Sequence, residues 1–447
     1  VSHGSFVLVK PLFEYLNNYK YPCSEQTISK ALPYALIPNN EFLGIDSKKS
    51  TDKIRETINI LQSRQNDDGS FAMWESGGSY SRDNESNSAS AYVTAYVVQF
   101  LTIARDNGFT VPNNMLSRGV AYLRTYAGRN IRDANDAQTK AFAIYVVTRN
   151  GFVSTSYIDG FEEYANKNIK DWQSELSGAY IAASYKLLKQ DDKANSLIKK
   201  YKLSAPKKFV YHWDFSNNIT NDANYAYLVN KHFDGDISAD NYKRIVDNIQ
   251  MYIASGNYSS FTSAVSVMAL AGDIPFGDRI GDTISVVGTA GKNAINLHPT
   301  DAGARDIYLT NIPRDVTKLD INCSSCDKNN GVFYTMIQMG FPKSVRAQNN
   351  GIEVVRDYFD REGNKITCAT VGDDITVKIS VRATGGTDYV DNVVIADLLP
   401  AGFSVVTDSI FGSMNFSESR EGRVLIYKSI SRSVSEITYK VKVTAAG

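Results

Sequence analysis

Cys23 is followed three positions later by Gln26 in the segment Tyr19-Lys-Tyr-Pro-Cys-Ser-Glu-Gln-Thr-Ile-Ser-Lys-Ala-Leu-Pro33. If a helix starts near Cys23, positions i and i+3 share one face about 5 to 6 Å apart between Cβ atoms, close enough for the thiol to attack the glutamine side-chain carbonyl. Loss of ammonia then leaves an internal thioester. A helix N-terminus also favours an anion by about 0.3 to 1 kcal/mol, and the anion here is the Cys23 thiolate expelled when the thioester opens. A more acidic thiol leaves faster. Exposed thioesters hydrolyse, so a stored one needs dry cover, and Phe13, Tyr15, Tyr19, Tyr21, Leu32 and Tyr34 are the nearby apolar and aromatic candidates. A bare C-x-E-Q is more often a buried small thiol followed by helix-surface residues, so the surroundings of Cys23, Glu25 and Gln26 decide.

The elements that must hold this pair read as helical over the first 275 or so residues. Apolar residues recur at helical spacing in Ile54 to Leu61, Tyr92 to Ile103, Ala141 to Val147, Gly178 to Leu188, Tyr225 to Phe233 and Phe261 to Leu270. Small residues and aromatics are mixed in them, as in Ala91-Tyr-Val-Thr-Ala-Tyr-Val-Val-Gln-Phe-Leu101. A helix that is small and apolar around much of its circumference is packed on two sides, and recurrence every 35 to 50 residues predicts a closed array of helix pairs. The turn Gln65-Asn-Asp-Asp-Gly-Ser-Phe-Ala-Met-Trp74 resembles the one that recurs in α/α toroids such as terpenoid cyclases and complement-type thioester domains.

After about residue 277 the period changes. Ile284-Ser-Val-Val, Asp306-Ile-Tyr-Leu, Val332-Phe-Tyr-Thr-Met-Ile and Ile352-Glu-Val-Val-Arg-Asp-Tyr are short, β-branched or aromatic runs bounded by turn residues. Asp374 to Arg382, Arg423 to Tyr427 and Ile437 to Val443 alternate apolar with polar residues, the pattern of an antiparallel sandwich with one wet face. The predicted fold class is multidomain α plus β, an α/α toroid thioester domain (1–277) followed by all-β domains. These are a β-rich module at 278–345 and an antiparallel β-sandwich at 346–447, which the end of the chain is expected to cut short.

Composition excludes several classes. The 48 basic side chains are balanced by 48 acidic ones, which asks for neither nucleic acid nor an acidic lipid surface. No run of about 18 apolar residues is present, and Val1-Ser-His-Gly-Ser has no leader pattern, so an export signal is expected to be removed or upstream. Cys323 and Cys326 form a C-x-x-C in a Ser/Asp/Asn-rich stretch without strand-to-helix context, which favours a local disulfide or two free thiols over redox catalysis; Cys368 stands apart. No cofactor or metal is called for, since Cys23 is the only thiol of the helical region and it has no His cluster. A cyclase would need more carboxylates than Asp67 and Asp68, and a cysteine hydrolase would need a His/Asn partner for Cys23 that the sequence does not offer.

The string Tyr21-Pro-Cys-Ser-Glu-Gln-Thr-Ile-Ser29, preceded by Val9-Lys-Pro-Leu-Phe-Glu-Tyr-Leu16, closely resembles the thioester region of bacterial alpha-2-macroglobulins. Val332 to Phe341, Gly351 to Asp360 and Val390 to Phe403 resemble the region that follows it in that family, so the resemblance covers nearly the whole chain. It implies a toroidal thioester domain set in a β-rich module, a macroglobulin-like sandwich at 346–447, and a broad-spectrum protease inhibitor rather than an enzyme. A protease cuts an upstream bait segment, the domains rearrange, and a protease lysine attacks the thioester. The site carried over is Cys23 and Gln26, with Glu25 as motif companion. Target endopeptidases and the upstream domains of the same protein are the expected partners. The chain reads as a C-terminal portion that would not trap alone, in a periplasmic protein held at the inner membrane by an upstream lipid anchor. Complement-type relatives use a toroid His as first acyl acceptor. Here only His212 and His232 lie within the later toroid, and neither sits in a matching motif, which favours direct attack by an amine. The competing reading is a thioester-independent, non-covalent protease trap or a structural envelope protein.

Overall fold

The computed structural model describes residues 4–20, 23–74, 87–203, 216–272, 284–297, 300–301, 308–309, 311–323, 332–336, 349, 351–384 and 388–446. Twelve α-helices come first among them: α1 (Val9–Asn18), α2 (Ser24–Leu36), α3 (Ser47–Gln62), α4 (Asn87–Asp106), α5 (Asn113–Ala127), α6 (Ala134–Arg149), α7 (Thr155–Asn168), α8 (Leu176–Leu187), α9 (Asp191–Ile198), α10 (Asn218–His232), α11 (Ala239–Ser255) and α12 (Ser260–Leu270). The even-numbered helices pack in the circular order α2, α4, α6, α8, α10, α12 and back to α2, so the expected toroid is closed. Odd-numbered helices lie against them on the outside, as α3 on α2, α5 on α4 and α6, and α9 on α8.

Burial explains which helix goes where. Every residue of α12 is buried, as is α8 from Leu176 to Tyr185, because small side chains alternate with aromatics and let both flanks be covered. By contrast α11 buries Tyr242, Ile245, Val246, Ile249 and Tyr252, one stripe at helical spacing, and leaves its other side wet. The inner helices run parallel. At one end Asn217 Nδ2 of the α10 cap donates to Thr262 Oγ1 of α12 over 3.0 Å. At the other, the C-terminal turns of α4 and α6 meet through Arg149 and Asp106 at 2.8 Å.

The glycine turn between α3 and α4 is a docking device. Gln65 and Phe71 form an isolated bridge, Gly69 adopts φ +89°, and Gln65 Nε2 donates to Met115 O of α5 over 2.9 Å. A Cβ on Gly69 would lie 2.3 Å from Arg118 O, so the turn demands glycine both for its backbone and for this approach.

Strands follow. β1 (Ile284–Ala290) is central to an antiparallel sheet between β2 (Asn293–Asn296) and β5 (Lys318–Cys323), and β3 (Thr300–Asp301) pairs with β4 (Tyr308–Leu309). The predicted strand at Val332 is not formed: within Val332–Met336 only Phe333 makes a single bridge. Tyr334 and Met336 are exposed, and the segment is held instead by Thr335 Oγ1 donating to Val7 O over 3.3 Å. Cys323, at the end of β5, is disulfide-bonded and so is not one of two free thiols; Cys326 lies outside the described residues, and Cys368 is exposed and free. The predicted boundary near residue 277 also falls outside them.

A second compact unit contains β6 (Ile352–Phe359), β7 (Lys365–Ile366), β8 (Asp374–Ala383), β9 (Tyr389–Leu398), β10 (Phe403–Val405), β11 (Phe411–Gly412), β12 (Phe416–Arg420), β13 (Arg423–Ser431) and β14 (Ser435–Val443). One sheet has the order β10-β14-β8-β6-β7 with β11 on β14, the other β12-β13-β9. Alternate residues of β8 and β14 (Ile375, Val377, Ile379, Val381, Ile437, Tyr439, Val441) meet Ile395, Val424, Ile426 and Ile430 in one core, which makes the unit an antiparallel sandwich.

Candidate functional site

Helix α2 begins where the sequence places it, with Cys23 as its N-cap in an extended conformation (φ −64°, ψ 165°). The pair forms a reciprocal capping box. The Gln26 amide N–H donates to Cys23 Sγ at 3.4 Å, and the Cys23 N–H donates to Gln26 Oε1 at 3.2 Å. The box that starts the helix therefore also turns the glutamine carbonyl back towards the cysteine. Both residues are buried, at 5 % and 8 % exposure. The glycine turn buttresses this first turn: the Ser24 N–H donates to Met73 O (2.9 Å), Ser24 Oγ to Ala72 O (2.6 Å), and Arg64 to Ser24 Oγ (3.3 Å).

Of the six proposed cover residues, Tyr19 touches the pair. Its hydroxyl accepts from Gln26 Nε2 at 3.1 Å, and its ring packs on Tyr15 with centroids 5.5 Å apart. Tyr15 in turn stacks on Tyr258 at 4.9 Å. Phe13 and Tyr34 pack on each other instead, edge to face, Leu32 is in the core, and Tyr21 lies outside the described residues.

Glu25 is more than a companion. Its carboxylate is buried, accepting from Ser29 Oγ (2.6 Å) and from Ser260 Oγ of α12 (2.9 Å), while Ser29 Oγ also lies 3.0 Å from Tyr96 OH. Burial, only partly offset by the two serine hydroxyls, pushes its pKa up to about 7. Sequence reasoning missed Ser260, Tyr96, Arg64 and Lys30 because they lie on other elements or outside the motif. The i+4 spacing of Ser29 and Lys30 from Glu25 and Gln26 was the readable signal.

The thiol itself corrects an expectation. A helix start should make Cys23 more acidic, yet burial, followed by the nearby Glu25 charge, pushes it well above its ordinary value, and the Gln26 amide and Arg64 do not offset this. In the closed site the sulfur is kept from ionising.

His232 is not near the pair. It ends α10, a helix of 15 residues and so about 22 Å long, at the end opposite the N-terminal turns that carry Cys23. Its Nε2 is 2.9 Å from Tyr145 OH, and burial, with help from Arg149, lowers its pKa to about 3. His212 lies outside the described residues.

Comparison with known proteins agrees with this architecture. Residues 351–447 match the family model described as Bacterial Alpha-2-macroglobulin MG10 domain. The whole chain aligns with alpha-2-macroglobulin of Rickettsia conorii at 27 % identity and with an alpha-2-macroglobulin homolog of Yersinia pestis at 28 %, in each case spanning 24 % of the relative. A crystal structure of native alpha-2-macroglobulin from Escherichia coli, running from domain MG7 to the C-terminus, superimposes with a TM-score of 0.73 at 17 % identity, over 99 % of this chain and 71 % of that one. The chain is thus similar along its length to the C-terminal region of bacterial alpha-2-macroglobulin, in sequence and, as a helical domain followed by β domains, in fold.

Proposed function

We propose that this chain stores a thioester between Cys23 Sγ and Gln26 Cδ, and that it is the reactive region of a larger alpha-2-macroglobulin-type protease inhibitor. In formation the sulfur attacks Cδ, the C–S bond forms, the C–N bond breaks and ammonia leaves. In use an amine attacks Cδ, the new C–N bond forms, the C–S bond breaks, and the proton lost by the amine ends on the Cys23 thiol. The target amines would be lysines of a captured endopeptidase. No histidine described near the pair is available to take the acyl group first, so direct aminolysis is the simplest route.

The observation that carries this reading is the reciprocal capping box of Cys23 and Gln26, buried beneath Tyr19. The box by itself accounts for the helix start; what supports the thioester is that the same geometry keeps Sγ beside the Gln26 side chain in a site shielded from water. The test is intact mass with thiol labelling in the full-length protein. Its mass should be lower than the sequence by one ammonia, and Cys23 should resist alkylation until methylamine is added. Full mass with immediate labelling of Cys23 in folded, untreated protein would overturn the proposal.

A further inference from the structure

Tyr19 is held at two ends by one helix. Its hydroxyl accepts from Gln26 Nε2 at 3.1 Å, and its backbone carbonyl accepts from Lys30 Nζ at 2.6 Å. Gln26 and Lys30 are one turn apart on α2, so both grips come from the same face of the helix that carries the reactive pair. Tyr19 itself is the C-cap of α1, in extended conformation (φ −70°, ψ 124°): its N–H still donates to Leu16 O at 3.2 Å, while its carbonyl has left the helix and is the group that Lys30 holds. The phenol bond is a neutral contact at a half-buried edge, and its donor nitrogen is the one that departs as ammonia when the thioester forms, so in the thioester state the lysine bond is the grip that remains of the two. The lysine bond is charge-assisted, short and the stronger of the two.

We infer that Lys30 is a positioning residue for the thioester, the clamp that fixes the backbone of Tyr19 so that its phenol stays over Gln26. This rests on the thioester reading. The clamp has a second effect: it occupies the one amine of α2 that lies an i+4 step from Gln26, keeping it as a hydrogen-bond donor to Tyr19 O. Around Lys30 the charged groups are Lys53 and Glu56 of α3, themselves paired at 2.8 Å, and burial, with Lys53, lowers the lysine pKa. Raising pH therefore removes the ammonium before an exposed lysine would lose it, and the clamp loosens.

The experiment compares wild type, K30M and K30R in the full-length protein without added amine, following alkylation of Cys23 and intact mass over time from pH 7.5 to 10. K30M should expose Cys23 on the order of tenfold faster than wild type at pH 7.5, the scale of losing a hydrogen bond to a charged group. K30R, which keeps a permanent cation, should stay within about twofold of wild type at pH 7.5. The wild-type rate should then climb towards that of K30M as pH rises, while the ratio of wild type to K30R grows. K30M no faster than wild type, no rescue by Arg, or a flat ratio across pH overturns the inference. Wild-type mass separates the two readings. If no ammonia has been lost the thioester falls, and the same alkylation rates then measure access to a free buried Cys23, so the clamp is still tested.

Discussion

Ser260 Oγ donates to Glu25 Oε2 over 2.9 Å across 235 positions of sequence, joining the N-terminal turns of the last and first inner helices of the toroid. The other carboxylate oxygen accepts from Ser29. The carboxyl is therefore a seam of the ring as well as a neighbour of Cys23.

That seam gives a pH signature. Glu25 titrates near 4.5 when unfolded and about 7 when folded. With the folded value raised, the folded state binds the extra proton, so this group's contribution to stability is fully present below about 4.5 and is lost as pH rises through about 7. The variant E25Q cannot ionise. Measured by urea unfolding, its stability relative to wild type should rise between pH 4.5 and 8, by roughly 3 kcal/mol at most. A constant difference across that range would show that the carboxyl is not buried as charged.

His232 carries the opposite sign. Its folded pKa is depressed to about 3 from 6.5, so the stability it contributes is present above 6.5 and is lost as pH falls towards 3. H232Q should be somewhat less stable than wild type at pH 7.5, and the gap should close as the solution is acidified. Because the ring lies a helix length from Cys23, H232Q should also leave unchanged whatever partition between amines and hydroxyls the proposed thioester has. A shift towards either target class would make His232 part of the acyl chemistry.

Much of this arrangement was readable because inner and outer helices obey different rules. Five of the six helical segments singled out by their mixture of small and aromatic residues lie in α4, α6, α8, α10 and α12 of the inner ring, since that composition is what covering both flanks requires. The outer α5, α7, α9 and α11 carry one narrow apolar stripe each and were silent. The i, i+3 spacing brought Cys23 and Gln26 together on paper, but only the resemblance of the surrounding sequence singled them out from an ordinary buried thiol. The acidity of Cys23 was not, because a local argument from the helix start competes with burial supplied by elements hundreds of residues away. Tyr19 could be narrowed only to one of six cover residues, since choosing it needs the backbone path after α1. The false strand at Val332 had the right residue types but no ladder among the described residues.

Gly69 tests whether the turn is a scaffold for the site. Gly69→Ala must place a side chain at φ +89° and 2.3 Å from Arg118 O, so the turn has to move away from α5. The expected cost is about 2 to 4 kcal/mol, combining an unfavourable backbone conformation with overpacking. Ala72 and Met73 of the same turn hold Ser24, so hydrogen exchange at the start of α2 should quicken along with the loss of thermal stability. Stability lost with no change at α2 would uncouple the turn from the site.

In the C-terminal sandwich, Asp397 of β9 accepts from Tyr439 OH of β14 at 2.6 Å and from Arg356 of β6 at 2.5 Å, so one buried carboxylate ties the two sheets together. Removing it by D397A leaves the Tyr439 hydroxyl buried without its acceptor, whereas Arg356, with its side chain 39 % exposed, can turn to water. The loss should be about 1 to 3 kcal/mol, the range for leaving a buried hydroxyl without its acceptor, with little added by the partly exposed arginine. Y439F deletes a single hydroxyl and should cost about 1 kcal/mol. Because the two residues share the bond, the double variant should fall short of the sum, and the coupling can be read from the unfolding of this domain by a double-mutant cycle. Strict additivity would mean that Tyr439 and Asp397 stabilise the sandwich independently, and that the carboxylate acts mainly through Arg356.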